Sequence, residues 1–418
     1  MSFKFVLDFF RSFGVLFGSL LLNRASRSSK FATKWINFGL GTLLIGWGGL
    51  LNYWMLRKNR ADFPRGLTMQ SWPIVKDGWH NSNTDLIFWR DHFYLIHAAS
   101  PYHFGSSRCH LKLWRSKDAL HWEKIAQFSN APEDIRDPKL AVINDRLFVY
   151  VLLNRDFNPE PYTTAYSVSE DGQHWTPLRL VEPAGWLFWR PKTRDGKTWY
   201  VPAYWWEHGI SILLCSSDGE HWEKVSTIYR GDRNDETDIE FLSDGRLLAV
   251  ARLEFSEDFL RGDPKGSTLI ALAEPPYTEW KVRAKSPLTR LDGPCLFSYK
   301  GKVYAVGRYQ PTKDRPFSYP GSIFSRKRTS LFAVLEDHLV YLGDLPSAGD
   351  TSYGAVVQQG DELFITYYTS DIRHDYPWAV GMLCPSEIRM ACISLPEFEQ
   401  WAEEAILAKT HSSGAQPR

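Results

Sequence analysis

The chain is poor in the residues that mark several large classes of protein. Its five cysteines are an odd number with no Cys-x-x-Cys pair and no zinc spacing. Cys109, Cys215 and Cys295 fall in strand-like runs and read as buried free thiols. Charge of one sign is also missing: 49 Lys and Arg face 48 Asp and Glu, a net of +1, without a long basic run. That balance gives no footprint for nucleic acid. There is no His-Glu-x-x-His, no EF-hand pattern and no glycine-rich phosphate loop, so neither a metal nor another cofactor is expected. After about residue 80, helix-period segments are absent until "EFEQWAEEAILAK" (397–409), which reads as a short helix before a polar tail. What the chain has in quantity is aromatic side chains, 15% of residues with 18 Trp, a type that packs between sheets and lines clefts.

One segment differs from the rest. Trp35 to Leu56 runs 22 residues without a charge, long enough to cross a bilayer, with Trp35, Tyr53 and Trp54 near its ends. Gly39, Gly41, Gly46, Gly48 and Gly49 suit a packed membrane helix. Ser12 to Asn23 is a shorter apolar stretch, interfacial or a marginal first span. Lys and Arg flank the main run on both sides, so charge does not orient it. The expected organisation is a membrane-anchoring segment over 1–61, a globular body over 62–396 and a C-terminal helix and tail over 397–418.

The body repeats. A polar cluster leads into an apolar strand, a turn and a second apolar strand at Asp85, Asp137, Arg190, Glu236, Asp292 and Tyr353, in steps of 52, 53, 46, 56 and 61 residues. Periods of this size in strand-and-turn sequence predict an all-β, six-bladed β-propeller, with "LTMQSWPIVK" (67–76) as the strand that closes the ring. "SKDALHW" (116–122), "SEDGQHW" (169–175) and "SSDGEHW" (216–222) form a second repeat in register. In each, Asp accepts backbone N–H groups in a tight turn and Trp packs between sheets. Such Asp boxes are structural and belong on the face opposite the substrate.

Within the fourth unit, "DETDIEFLSDGRLLAVAR" (235–252), a hairpin turn at Ser243-Asp244-Gly245 folds two short strands together. It brings Glu236, at the entrance of one, beside Arg252, at the exit of the other.

Together these stretches resemble the sialidase superfamily over roughly residues 80 to 395. The segment 235–252 is similar to the one that carries the family's catalytic Glu and second substrate-binding arginine, matching Glu236 and Arg252. "GPCLFSYKGKVYAVGR" matches Arg308 to the third arginine, and "DTSYGAVVQQGDELFITYYTSD" matches Tyr353 to the catalytic tyrosine. The resemblance implies a retaining exo-glycosidase on an acidic or sialic-acid-like sugar. Tyr353 would be the nucleophile, assisted by Glu236. A neutral phenol avoids the repulsion that the sugar's carboxylate would exert on a charged nucleophile.

Two family elements are replaced. Asn83-Thr84-Asp85 stands where an Arg-Ile-Pro opens the first blade, which leaves Arg136 or Arg190 as the third arginine. The loop that carries the acid/base Asp reads "HAASPYHFGSSRCH", without a carboxylate. Asp85, Asp137, His97 or His103 are the candidates for that role. Asp292 reads as a turn residue before Gly293-Pro294. "RDPKL" (136–140) keeps open a furanosidase-like hydrolase using Asp85 or Asp137, and the missing acid keeps open a glycan-binding propeller without catalysis. The expected partner is a glycan or glycoconjugate. The expected location is a membrane-anchored, extracytoplasmic propeller, because glycans are usually found there.

Overall fold

The computed structural model describes residues 3–154, 162–311 and 316–413. The polar tail after 413 lies outside them. The body is the six-bladed propeller that the repeat predicts. Its blades are four-stranded antiparallel sheets whose inner strands start at His80, Asp134, Trp186, Asn234, Asp292 and Thr351. Met69–Val75 pairs with Glu387–Ser394, so the sixth blade takes its outer strand from ahead of the first and the ring is closed by both ends of the chain. The second strands, such as Leu247–Leu253 and Glu362–Thr369, are mostly apolar and almost wholly buried because blades cover both of their faces. The C-terminal helix, Leu395–Ser413, seals one side with Phe398 and Ala402 buried against the fifth and sixth blades.

Five inner strands share an irregularity near their start. Register slips between Ser82 and Asp85, Arg136 and Lys139, Asn234 and Thr237, Asp292 and Cys295, and Ser352 and Ala355. Four of these bulges carry a residue with positive φ: Asn83, Asp137, Gly293 and Tyr353. A bulge bends its strand and re-aims one side chain. In the third blade the inner strand breaks instead, into Trp186–Phe188 and Lys192–Thr193, where Pro191 has no N–H for the ladder.

The Asp boxes lie in the turns between third and fourth strands, at the end opposite the bulges. Asp118, Asp171 and Asp218 each accept two backbone N–H bonds across their turns. A similar turn joins the first and second strands of the third blade. Thr193, Asp195 and Trp199 have the same spacing, and Asp195 accepts from the N–H groups of Lys197 and Thr198.

The N-terminus forms two helices, α1 (Phe3–Arg27) and α2 (Phe31–Leu56). The expected membrane span falls within α2, but among the described residues no helix is long and apolar enough to cross a membrane. The physical reason is dilution: glycines, Asn37, Thr42 and Asn52 lower the hydropathy of a run that has the right length. Of the five glycines, Gly41 and Gly48 make the contact with α1. A Cβ on Gly41 would lie 2.9 Å from the carbonyl of Gly18, and one on Gly48 2.9 Å from the backbone nitrogen of Val15.

Candidate active site

Glu236 and Tyr353 come from inner strands two blades apart and meet at the axis. The Tyr353 hydroxyl donates to Glu236 Oε1, and Glu236 Oε2 accepts from the Gly293 N–H at 2.6 Å. Tyr353 holds φ at 46° on its bulge. The ring is accommodated because residue 293 is glycine, with φ at 62°: a Cβ there would sit 2.9 Å from two of its ring carbons.

Above this pair opens a cavity of about 470 Å³, lined by Arg233, Arg252, Arg290, Arg308, Tyr353 and His103, with Trp206, His208, Glu254, Phe259 and Trp378 in its walls. Arg252 grips Asp235 with two nitrogens and lies 3.1 Å from Glu236. Arg290 donates to Asp292 at 2.8 Å. Arg308 donates to Tyr368 Oη at 2.7 Å, lies 3.3 Å from Asp350, and stacks 5.1 Å from the Tyr353 ring centre. These guanidinium groups are partnered by carboxylates that their positive charge keeps ionised. Against the cost of burial, Arg290, Arg252 and Arg308 hold Asp292 below its ordinary range, and His103 and Arg308 do the same for Asp350.

Glu236 behaves differently. Burial pushes it up to about 7, with Arg252 opposing and Asp235 and Asp292 adding to the rise. Burial and the Glu236 charge together push the Tyr353 phenol well above its usual range. The pair therefore rests as phenol and carboxylate sharing a proton, with a base near neutrality poised to take it.

His103 stands in the loop where sequence comparison finds no carboxylate. Its Nδ1 lies 2.7 Å from Asp350 Oδ2, which also lies 3.1 Å from His80 Nε2. Burial lowers the His103 pKa, and Asp350 works against that fall. His97, the other candidate, is fully buried. It bonds to Trp114 and to the Ala98 carbonyl, burial lowers it to about 4, and it does not line the cavity.

The remaining sequence candidates are elsewhere. Asp85 accepts from the Leu140 N–H at 2.6 Å and from Arg190 Nε at 2.9 Å, which ties the first blade to the second and third. Asp238 ties the fourth to the fifth in the same way, through the Leu296 N–H. Arg190 is buried beneath the cavity, where it also donates to the carbonyls of Pro294 and Gly354. Arg136 pairs with Asp134 at 2.5 Å and reaches the His103 carbonyl, so it braces the loop and not the cavity. Asp137 is a bulge residue with a buried Oδ1 that has no partner, and it too lies outside the cavity lining. Asp292 is no turn residue: it is a buried strand residue between three arginines.

Arg290, Asp235, Asp350, Glu254 and Trp378 were not read as site residues. A signal existed for Arg290, since "RLDG" puts it two residues ahead of a blade start. His80, His103 and Asp350, and again His208, Asp235 and Glu254, bring together groups of the metal-ligating kind. Arg308 and Arg252 set positive charge against the same carboxylates, which makes both places unfavourable for a cation.

No family model matches the chain, and no curated protein does. Solved structures do. Trypanosoma rangeli sialidase in complex with the inhibitor DANA superposes with a TM-score of 0.57 at 11% identity, over 85% of this chain and 61% of that one. The fold is that of a sialidase-like propeller. Phage phi92 endosialidase gives 0.56 at 10% identity over 79% and 69% of the two chains. A protein of unknown function from Dyadobacter fermentans gives 0.55 at 14% identity over 79% and 99%. The sialidase-like propeller thus spans about three-fifths of the trypanosomal chain, and at these identities the likeness is one of fold.

Proposed function

We propose that the cavity is the active site of a retaining glycosidase for an acidic sugar. The observation that carries this reading is the Tyr353–Glu236 hydrogen bond at the floor of an arginine-lined cavity. Tyr353 Oη attacks the anomeric carbon as its proton passes to Glu236. The bond to the leaving group breaks, and that oxygen takes a proton from His103, which Asp350 orients. Water then attacks the same carbon, giving its proton to His103 as the bond to Tyr353 breaks and Glu236 returns the phenolic proton. Arg252, against Glu236, and Arg308, against the Tyr353 ring, flank the pair, and with Arg290 in the same cavity they would hold the sugar's acidic group.

The reading without catalysis, a glycan-binding propeller, keeps one observation in its favour: each of these three arginines already has a carboxylate partner. The furanosidase-like reading loses its ground, since the ring has six blades and Asp85 is consumed by a tether between blades. We place the propeller outside the cytoplasm and on a membrane, an inference from where glycans are found.

A panel of fluorogenic glycosides, sialosides included, separates the first two readings. On the substrate found, Tyr353→Phe should keep the fold and the affinity and lose at least about a thousandfold in kcat. Turnover within about tenfold of the parent would mean that another group attacks, and tight binding of a sugar by both proteins without turnover would establish a lectin.

A further inference from the structure

The chain leaves α2 on the same face that holds the cavity. Met55 is buried with Tyr376, Val380 and Cys384, and Arg57 accepts the Asp375 N–H through its carbonyl. All of these belong to the loop between Thr369 and Glu387, whose Trp378 lines the cavity wall. Asn59 fastens the foot of the hairpin further, donating to the carbonyls of Ser347 and Ile372 at 2.9 Å. The helices thus rise from the rim of the mouth and not from the Asp-box face.

The outside of this hairpin is apolar. Among the described residues α1 and α2 expose sixteen large hydrophobic side chains. Their mutual contact uses backbone against backbone at Gly14, Gly18, Gly41 and Gly48, which sends the bulky residues outward. This is the way helices associate when lipid, not water, surrounds them. Cations sit at both ends, with Arg24, Arg27, Lys30 and Lys34 at the tip and Arg57, Lys58 and Arg60 at the foot. Charge of that sign complements anionic headgroups.

The propeller continues the same surface. Tyr102 and Phe104, Phe259 and Leu260, and Phe317 and Phe324 are exposed, and all lie in loops that follow the second strands of the first, fourth and fifth blades, at the mouth. Away from the mouth and the hairpin, the exposed large apolar residues Phe63, Leu120, Leu180, Val282 and Leu407 are scattered singly, as on any soluble surface. Exposed Arg108, Arg261 and Arg373 stand in the mouth loops, alongside the acids Glu257 and Asp258.

We propose that the mouth face of the propeller docks on a lipid bilayer, with the α1–α2 hairpin and the three aromatic loop tips in the lipid. Resting on the glycosidase reading, this makes the sugar headgroup of a membrane-borne glycoconjugate the substrate.

The test uses the full chain and vesicles of phosphatidylcholine with about one part in four phosphatidylglycerol. An environment-sensitive dye is placed on Leu260→Cys at the mouth or on Leu120→Cys at the Asp-box face. The expected result is a blue shift and quenching by brominated lipid at 260 and none at 120. Quenching at 120, at both sites alike, or at neither overturns the proposal. A shift at 260 that follows protein concentration without lipid also overturns it, and assigns the face to a second copy. Activity is a separate readout. On the sugar that the panel identifies, hydrolysis from a vesicle-borne lipid should exceed that of the soluble glycoside by about tenfold or more. Leu260→Asp/Phe317→Asp should remove that advantage and leave soluble turnover unchanged. Hydrolysis indifferent to vesicles, with the dye at 260 unquenched, sinks the docking surface and leaves the glycosidase reading standing. Quenching at 260 in a protein that cleaves nothing does the reverse.

Discussion

The two faces of the propeller spend their polar groups in opposite ways. On the Asp-box face, Asp118, Asp171 and Asp218 sit half in water, each bonded to N–H groups of its own turn. Those Asp side chains bond within their own turns, while neighbouring blades reach only the rest of each box, as Tyr150 does at the Gly219 carbonyl and Arg146 at the Asp218 carbonyl. At the mouth, Asp235, Glu236, Asp292, Asp350, Arg252, Arg290 and Arg308 are nearly all removed from water and pair both within a blade, as Arg252 with Glu236, and across blades, as Arg252 with Asp292 and Arg308 with Asp350. Burying that many charges costs several kcal/mol for each unless all are matched. A face that only had to close a ring would not need that expense, so the contrast marks the mouth as the working face.

The largest break in this contrast should come from Arg190. Arg190→Met leaves Asp85 buried without its partner and should cost about 3–5 kcal/mol in denaturant unfolding. Adding Asp85→Asn, which keeps an acceptor for the Leu140 N–H, should recover most of the loss. A single variant within 1 kcal/mol or so of the parent would mean that the axis tolerates an unpaired charge.

The next effect is on rate and pH. As acid, His103 must be protonated, yet burial lowers its pKa. As base, Glu236 must be ionised, yet its pKa stands at about 7. The competent form is then a minority at every pH. The profile of kcat/KM should be a bell whose ascending limb belongs to the lower-titrating group and whose descending limb lies near that of Glu236. His103→Gln should lower kcat about a hundredfold and erase one limb. A variant that keeps both limbs would move the acid role away from this residue.

The smallest effect should be on the Asp-box face. Asp218→Ala removes bonds to the N–H groups of Glu220 and His221 and should cost about 1–2 kcal/mol, with no change in kcat/KM. Thermal unfolding beside a rate assay checks both halves, and a matching fall in activity would show that the two faces are coupled.

Much of this was legible because it is periodic or local. Six blade starts, the closing strand before residue 80 and three boxes follow from spacing and turn chemistry. The hairpin in 235–252 places Arg252 by Glu236 through strand geometry alone, and the 3.1 Å contact agrees. Other residues were legible by type but not by partner. Asp85, Arg136 and Arg190 stand at blade starts as Glu236 and Tyr353 do, and no pattern along the chain says which of them face the cavity and which face a neighbouring blade.

By itself the sequence determined what nearest neighbours along the chain can decide: strand, turn, blade and the chemistry available at each blade start. Only the tertiary structure decided the roles. Closing six blades on one axis brings Tyr353 onto Glu236 across 117 positions of sequence, at a site that burial makes a base near neutrality. The same closure turns Arg190 from a substrate candidate into the pin beneath the pocket, and it sets the feet of two apolar helices on the rim of the mouth. Each of these rests on contacts between distant segments, and in such contacts burial and charge partners, not residue type, fix what a side chain does.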